Sequence, residues 1–267
     1  MSAPLPVTAE GPPLGRRTVM TQRWDELVYL HWAYDPAVIQ AHLPDGVRVD
    51  TFDGAAWIGL IPFEMRRIAF PPTPSVPWLG SFVEVNVRTY VVDERGRRAV
   101  WFLSLDIPRT VPILVARSAF GLPYCWAATG HTTSAGGRPG DPARSRTGVR
   151  HRYEVRRRRP GPATGALGVI DIEIGDEHPE DEQTPFEIWS SARWGLVTTT
   201  RGRVRHGAVT HERWPLRRAT LHGVDTGLVG AAGLPAPEGD PVVGYSPGVQ
   251  VDLAWLEPPT SPRGGSR

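Results

Sequence analysis

The sequence of 267 residues contains no lysine, because all 30 of its Lys and Arg residues are arginine. A lysine amine is the side-chain group that forms Schiff bases with carbonyl substrates in enzymes. Imine chemistry at a side chain is therefore excluded for this chain. A cationic contact to a ligand has to come from histidine or from arginine, whose guanidinium recognises carboxylates through paired hydrogen bonds.

Cysteine is almost as scarce as lysine. Cys125 is the single cysteine, so an intrachain disulfide is excluded and no cysteine-based zinc site can form. His206 and His211 are five positions apart without a third ligand in register, which argues against a metal site. Glycine-rich nucleotide-binding motifs are also missing. We therefore expect no metal, nucleotide or other cofactor.

Long hydrophobic runs are missing too. No stretch approaches the roughly 18 apolar residues of a membrane span, and the N-terminus lacks a signal-peptide pattern. The formal net charge is only +2, and the arginine run at 156–159 is offset by the acidic stretch at 171–183. We expect a cytoplasmic protein with a small-molecule ligand and neither a nucleic-acid nor a membrane partner. The sequence leaves open whether the protein forms a homo-oligomer.

Alternating apolar and polar residues dominate the rest of the chain and predict a mainly β (α+β) protein. The economical architecture is an antiparallel open barrel or strongly bent sheet with a few short helices, since so many flat strands would expose long edges. We expect one domain at 18–256 between disordered tails at 1–17 and 257–267. The predicted strands are 26–34, 47–52, 55–65, 82–92, 99–107, 149–155 and 168–174, and the predicted helices are 36–43, 111–120 and 185–192.

The predicted hairpin of strands 82–92 and 99–107 carries one charged and one apolar face. A turn around Gly96 predicts Arg88 opposite Ser104 and Asn86 opposite Asp106, with Trp101, Leu103 and Leu105 on the apolar face. The charged face either meets solvent, as in an ordinary antiparallel sheet, or lines an enclosed pocket. Its mixture of acid, amide, base and phenol favours the pocket. This face consists of Phe82, Glu84, Asn86, Arg88 and Tyr90, and the opposite face of Val83, Val85, Val87, Thr89 and Val91.

Several separated motifs occur in an order that resembles the YqjF-like family of uncharacterised bacterial proteins, over about residues 20–255. That family is similar in fold to acetoacetate decarboxylase, so the resemblance implies a β-rich barrel or cone with an interior ligand pocket. The motifs are FVEVNVRTYV, SLD, VPILVARSAFGLPY, WSSARWGLVTTTRGRV, HERWPLRRA and YSPGVQV.

The stretch FGLPYCWA tests the more remote resemblance. In the decarboxylase, two consecutive lysines follow a proline at this passage, whereas Pro123 here is followed by Tyr124 and Cys125. The resemblance therefore implies a ligand-facing turn without Schiff-base decarboxylation. Tyr124 is interpreted either as a hydrogen-bond donor or general acid in a pocket, or as a half-buried aromatic satisfied locally. Cys125 is expected to be a buried structural residue.

The candidate catalytic residues are Glu84, Arg88 and Tyr124. Two functions remain open. The first is a cofactor-free enzyme of lyase, isomerase or cyclase type acting on an oxygenated small molecule. The second is a non-catalytic binding protein that keeps the pocket, and a structural Glu84–Arg88 ion pair is a further alternative for those two residues. The candidate ligand-binding residues are Asn86, Tyr90, Asp106 and Arg117.

Overall fold

The structure, a computed structural model, describes residues 2–75, 80–134 and 147–258. Strands dominate it, as the alternating sequence pattern predicts, and the helices are short. The strands are β1 Thr18–Tyr34, β2 Val47–Val49, β3 Ala56–Ala69, β4 Phe82–Asp93, β5 Arg98–Ile107, β6 Tyr124–Thr133, β7 Arg150–Arg157, β8 Leu167–His178, β9 Gly195–Thr200, β10 Arg203–His211, β11 Leu216–Asp225 and β12 Val242–Ala254; the helices are α1 Pro36–Gln40, α2 Thr110–Val115, α3 Pro185–Ser191 and α4 Gly227–Ala231, and a π-helical turn spans Ala116–Phe120.

The predicted elements are all present with shifted ends, and the helix starts follow the sequence signals. Asp35 caps α1 by accepting a hydrogen bond from the Ala37 amide at 2.7 Å. Thr184 and Glu187 form a reciprocal capping box at the start of α3, which satisfies amides that the first helical turn leaves unpaired. The predicted helix at 111–120 is α2 followed by the π-helical turn. The sequence analysis did not predict β6 or β9–β12.

All strands belong to one sheet that returns on itself. Its order is β10-β9-β5-β6-β7-β8-β11-β12-β1-β3-β4-β2, with additional pairings β10–β12 and β5–β4. The neighbours β4, β5, β9, β10, β12, β1 and β3 therefore form a closed ring. The sheet is mainly antiparallel, as expected; the exception is β5, which pairs in parallel with both β6 and β9.

The pairing of β4 with β5 differs from the predicted register. Arg88 lies opposite Phe102, and Asn86 lies opposite Leu105. The ladder shifts by one residue between Val87 and Arg88 because β5 holds an extra residue, Leu103, at a β-bulge. A bulge reverses the alternation of the strand that carries it. Beyond the bulge, Leu105 therefore shares the Glu84–Arg88 face, and Ser104 and Asp106 lie on the face of Val85 and Val87.

Both faces of β4 are buried, so the polar face is not a solvated surface. Val85 and Val87 are fully buried in the main hydrophobic core, which they share with β1, β3, β7 and β8. On the other face, Glu84 and Arg88 are 2% and 8% exposed. Burying a carboxyl group and a guanidinium costs free energy unless polar partners or a ligand compensate. This face therefore requires a specific polar environment.

A glycine turn connects the π-helical turn to β6. Gly121 has a φ of 65°, the left-handed conformation that glycine adopts without steric cost. An added Cβ at Gly121 would overlap the carbonyl oxygen of Thr199 in β9. The turn thus packs against a neighbouring strand and fixes the point at which Tyr124 begins β6.

The segment 2–17, which the sequence predicts to be disordered, has no helix or strand but contacts the β4–β5 hairpin. The amides of Ser2 and Leu5 donate to the carbonyls of Glu94 and Gly96 at 3.2 and 2.7 Å. Of the predicted C-terminal tail, 259–267 lies outside the described residues, as does most of the loop between β6 and β7. No helix in the described ranges is long and apolar enough to cross a membrane.

Candidate functional site

The closed ring of strands surrounds a cavity of about 300 Å³. This volume matches the lower end of the range for small-molecule sites in proteins, which are mostly apolar with a few polar groups. Every strand of the ring supplies lining residues. Most of the wall is aliphatic or aromatic, for example Met20, Trp24, Met65, Phe70, Phe82, Phe102, Phe120, Trp214 and Leu253, and the titratable groups on it are Glu84, Arg88, Tyr124, Arg193 and His211.

Glu84 and Tyr124 meet on this wall. The Tyr124 hydroxyl donates to Glu84 Oε2 at 3.2 Å. Burial raises the pKa of Glu84 to about 8, against the partial opposing effects of hydrogen bonds from Tyr124 and Asn86 and of the Arg88 charge. Burial and the nearby Glu84 raise the pKa of Tyr124 well above its ordinary value. At pH 7 the Glu84 carboxyl group is therefore mostly protonated, and because the Tyr124 hydroxyl donates to Glu84, the carboxyl proton of Glu84 is the one available to a ligand.

Arg88 reaches the same cavity from β4, two residues beyond Asn86. Its Nη2 lies 3.5 Å from the Tyr90 hydroxyl, and its Nε has no hydrogen-bond partner among the described residues. His31 holds the Tyr90 hydroxyl at 2.6 Å from its Nε2. Burial, and then the charges of Arg88 and Arg193, lower the pKa of His31 well below its usual value. A neutral His31 thus positions Tyr90, which positions Arg88.

Arg193 is a second buried guanidinium on the wall and is only 5% exposed. Its Nη1 donates to Asp50 Oδ2 at 2.6 Å, and its guanidinium lies 4.5 Å from the Tyr90 ring centroid and 4.2 Å from that of Trp189. Nε and Nη2 of Arg193 lack partners within the described part of the chain. Unpaired buried donors on two cations favour a ligand with oxygen acceptors.

The structure brings only some of the predicted site residues together. Glu84, Arg88 and Tyr124 line one cavity, as the sequence analysis predicts for a pocket face. Asn86 and Tyr90 are buried beside them, 3% and 0% exposed, without forming the cavity wall. No salt bridge joins Glu84 and Arg88 among the described residues, and burial raises the pKa of Glu84 to about 8, so neither observation favours the ion-pair alternative.

The two remaining candidates lie elsewhere. Asp106 is on the core face of β5, because of the bulge at Leu103, and accepts hydrogen bonds from Arg157 Nε and Nη2 at 2.7 and 3.0 Å. Arg157 and Asp106 thus form a buried bidentate ion pair rather than part of the cavity wall. Arg117 is exposed on the π-helical turn. Neither residue is among the described residues that line the cavity.

Cys125 follows Tyr124 on the opposite face of β6, as alternation requires. It is 5% exposed, and its Sγ lies 3.8 Å from the Pro123 carbonyl oxygen. Burial raises the pKa of the Cys125 thiol. A buried thiol with a raised pKa is a poor nucleophile, which agrees with the expected structural role.

Sequence reasoning missed Arg193, His211 and the tryptophans of the wall. Arg193 lies in the motif WSSARWG, which indicates the family resemblance but carries no local signal for a site residue. His211 and His206 are five residues apart on β10 and therefore point to opposite faces, so their spacing does not link His211 to the cavity. In the described ranges, no group of three or more His, Cys, Asp or Glu residues is arranged to hold a metal ion.

Comparison with known proteins places the chain in a family. The sequence profile of the DUF2071 family, described as an uncharacterized conserved protein, matches residues 21–250. The uncharacterized protein YqjF of Bacillus subtilis is 27% identical over 228 residues, which cover 85% of this chain and 87% of YqjF.

Solved structures show the same fold at low sequence identity. The enduracididine biosynthesis enzyme MppR, complexed with pyruvate, has a TM-score of 0.58 at 16% identity and covers 91% of each chain. An acetoacetate decarboxylase-like enzyme from Sphingomonas wittichii has a TM-score of 0.59 at 11% identity, covering 90% of this chain and 92% of that one. The acetoacetate decarboxylase of Legionella pneumophila has a TM-score of 0.55 at 12% identity, covering 96% and 91%. The chain belongs to the DUF2071 family and has the acetoacetate decarboxylase-like fold.

Proposed function

We propose that this protein binds a small oxygenated molecule in the cavity and carries out cofactor-free acid–base chemistry on it. The observation that carries this proposal is the Tyr124–Glu84 hydrogen bond of 3.2 Å on the cavity wall, made by a carboxyl group whose pKa is about 8. A carboxylic acid that stays protonated at neutral pH can donate a proton to a carbonyl oxygen. The reaction class is that of an isomerase, lyase or cyclase.

Arg88 supplies the electrostatic part of this chemistry. Negative charge develops on a carbonyl oxygen when a proton leaves the adjacent carbon, and a fixed cation in an apolar cavity stabilises that charge strongly. Arg88 is held by Tyr90, and its Nε has no hydrogen-bond partner in the part of the chain that the structure describes. In this scheme, Arg88 faces the oxygen that Glu84 protonates, and Tyr124 positions the Glu84 carboxyl group by its hydrogen bond.

Loss of the lysine pair argues for a different chemistry from that of the decarboxylase. By the resemblance to the decarboxylase, Tyr124 and Cys125 follow Pro123 where that enzyme has its two lysines, so a carbonyl substrate is activated here through hydrogen bonds. The solved MppR structure holds pyruvate, which makes small carbonyl compounds the first molecules to test.

A non-catalytic binding protein is the second candidate. The predominantly apolar wall favours it, because burial of an apolar ligand provides affinity without any proton transfer. The two candidates share the site but differ in what Glu84 does. For an enzyme, Glu84→Gln abolishes turnover and leaves binding largely intact. For a binding protein, the same substitution changes affinity alone.

The test is a thermal-shift screen followed by calorimetry, using pyruvate, cyclohexanone and phenylacetone as probes. We expect at least one probe to raise the melting temperature of the wild-type protein. Tyr124→Phe and Arg88→Met should each weaken binding at least tenfold. Glu154→Gln is the matched control, because Glu154 is exposed on β7 and its carboxylate pairs with the exposed Arg152 at 2.8 Å, away from the cavity. Equal binding to all four proteins would contradict the site assignment.

A further inference from the structure

His211 occupies the cavity wall at the end of β10, and its ring is held between two tryptophans. Its centroid lies 4.5 Å from that of Trp194 and 5.1 Å from that of Trp214. Trp194 is fixed in turn, because its Nε1 donates to the Thr8 carbonyl at 3.1 Å. The His211 ring therefore has a fixed orientation at the cavity.

One hydrogen bond determines the tautomer of His211. Its Nδ1 lies 2.6 Å from the backbone carbonyl oxygen of Glu212. A carbonyl oxygen only accepts, so Nδ1 carries the proton. In the neutral ring, Nε2 is then the nitrogen with the lone pair. Nε2 makes no hydrogen bond with any residue that the structure describes.

The surroundings of His211 keep the ring neutral. Its pKa is lowered to about 4, mainly by burial; the hydrogen bond to the Glu212 carbonyl opposes this shift and the Arg88 charge adds to it. The Arg88 charge also lowers the pKa of Glu84. The other charged group near Glu84 is Asp106, which is paired with Arg157. Arg88 thus lies within electrostatic reach of both groups. The same cavity wall thus carries the unprotonated Nε2 of His211 and the protonated carboxyl group of Glu84, and the Arg88 guanidinium lowers the pKa of both groups.

We infer that His211 Nε2 is the proton acceptor of this site and Glu84 its proton donor, and that the ligand is a carbonyl compound with a hydrogen on the adjacent carbon. This inference rests on the proposed function and specifies its substrate class. It assigns a role to a histidine that the sequence pattern did not connect with the cavity.

The reaction is an enolisation. The C–H bond breaks, its proton moves to His211 Nε2, and its electron pair forms the new C=C bond. The carbonyl π pair moves to the oxygen, which takes the proton of Glu84. The products are an enol, a Glu84 carboxylate and a His211 imidazolium. When His211 gives its proton back to carbon and the enol hydroxyl gives its proton back to Glu84, the carbonyl compound and both groups are restored without a co-reactant.

The two proton transfers support each other. A base with a low pKa is a weak proton acceptor by itself. When Glu84 gives up its proton, however, a negative charge appears in the same apolar cavity, and an adjacent negative charge favours the imidazolium form of His211. If both protons move together, neither an isolated Glu84 carboxylate nor an isolated His211 imidazolium has to form in the apolar cavity.

The ligand-free test is nitrogen NMR of the histidine side chains, with His211→Asn used for assignment. We expect His211 to be neutral from pH 8 to pH 5, with the proton on Nδ1 and none on Nε2. A proton on Nε2 in the neutral ring, or an imidazolium at pH 6 or above, would overturn the inference and leave the ligand-binding proposal standing.

The second test follows deuterium incorporation next to the carbonyl of pyruvate, cyclohexanone and phenylacetone in D₂O. We expect the wild-type protein to accelerate exchange of a probe that it binds. His211→Asn and His211→Gln should slow that exchange at least 100-fold while the dissociation constant changes less than about fivefold. His222→Asn, which alters a partly exposed histidine paired with Glu173 on β8, is the matched control and should exchange like the wild type.

The possible failures are distinguishable. If the His211 variants are folded and exchange the probe as fast as the wild type, the inference is wrong and the proposed function stands. If the wild type binds a probe without exchange above the buffer rate, the inference is wrong and the binding-protein candidate gains support. If no probe binds or exchanges, both the inference and the proposal for carbonyl compounds are overturned.

Discussion

At the scale of single residues, the molecule is defined by polar groups held in an apolar cavity. Glu84 is the extreme case, since a carboxyl group 2% exposed has a pKa of about 8. Such a group weakens the fold whenever it has to ionise. Its retention points to a role that aliphatic residues cannot fill.

This burial has a measurable pH dependence. Between the ordinary pKa of 4.5 and the folded value of about 8, the folded protein binds more protons than the unfolded chain, so rising pH destabilises the fold. Relative to Glu84→Gln, the wild type should lose roughly 3 kcal/mol of unfolding free energy from pH 5 to pH 8. Denaturant titrations at several pH values measure this difference, and Glu154→Gln provides the control. A constant difference would show that Glu84 ionises normally.

At the scale of elements, the arrangement of β5 determines which side chains reach the cavity. The bulge at Leu103 turns Asp106 away from the cavity and towards Arg157 on β7. The resulting ion pair connects strands that are not neighbours in the sheet. Because both partners are almost fully buried, we assign the pair a structural role.

Breaking this pair should destabilise the protein without altering the ligand site. Asp106→Asn leaves Arg157 as an uncompensated buried charge, which typically costs about 3–5 kcal/mol of unfolding free energy. By comparison, Glu182→Gln removes an exposed pair with Arg218 and should cost less than about 1 kcal/mol. Urea denaturation gives both values. If the Asp106→Asn variant has normal stability but no longer binds the probes, Asp106 belongs to the ligand site and the structural role is wrong.

The Gly121 turn should be equally sensitive. Gly121→Ala places a Cβ at a positive φ and against the Thr199 carbonyl, so we expect a loss of at least about 2 kcal/mol. Because the turn positions Tyr124, probe affinity should fall as well. Gly223→Ala is the control, as an added Cβ there meets no atom within 4 Å. Unchanged stability in Gly121→Ala would mean that the turn has another conformation.

The sequence predicted those elements whose signals are local. The alternation of apolar and polar residues predicted β4, and Asp35 and Thr184 predicted the starts of α1 and α3. The strand register could not be derived in this way, because the extra residue Leu103 carries no local signal and a one-residue shift reverses the faces. The parallel pairings of β5 depend on the closure of the whole sheet. His211 was missed for the same reason, since its link to Arg88 is made only by the fold.

At the scale of the whole molecule, a fold that other proteins share carries side chains on its cavity wall that differ from the lysine pair of the decarboxylase. The fold is shared with acetoacetate decarboxylase-like proteins at 10–16% identity. Their similarity to this chain therefore concerns the backbone. The chemistry follows from the side chains on the cavity wall, which here include arginine, tyrosine, glutamate and histidine but no lysine.

The absence of lysine predicts a clear result with carbonyl trapping. Borohydride treatment of the whole protein with pyruvate or acetoacetate should leave its mass unchanged, because no side-chain amine is present to form an imine. Intact-mass spectrometry makes the measurement, and peptide mapping distinguishes an adduct at the N-terminal amine. A reduced adduct at any internal position would contradict this prediction.

The stacked indoles of Trp24 and Trp214 make the cavity optically visible. Their centroids are 6.0 Å apart with the planes inclined by 23°, and both rings belong to the wall. Two indoles at this separation couple their electronic transitions and produce a paired band in circular dichroism. An occupant that displaces either ring should change that band, and Trp214→Phe should remove it. Occupancy can therefore be followed by light absorption in the unlabelled protein, before any ligand or turnover assay has been established.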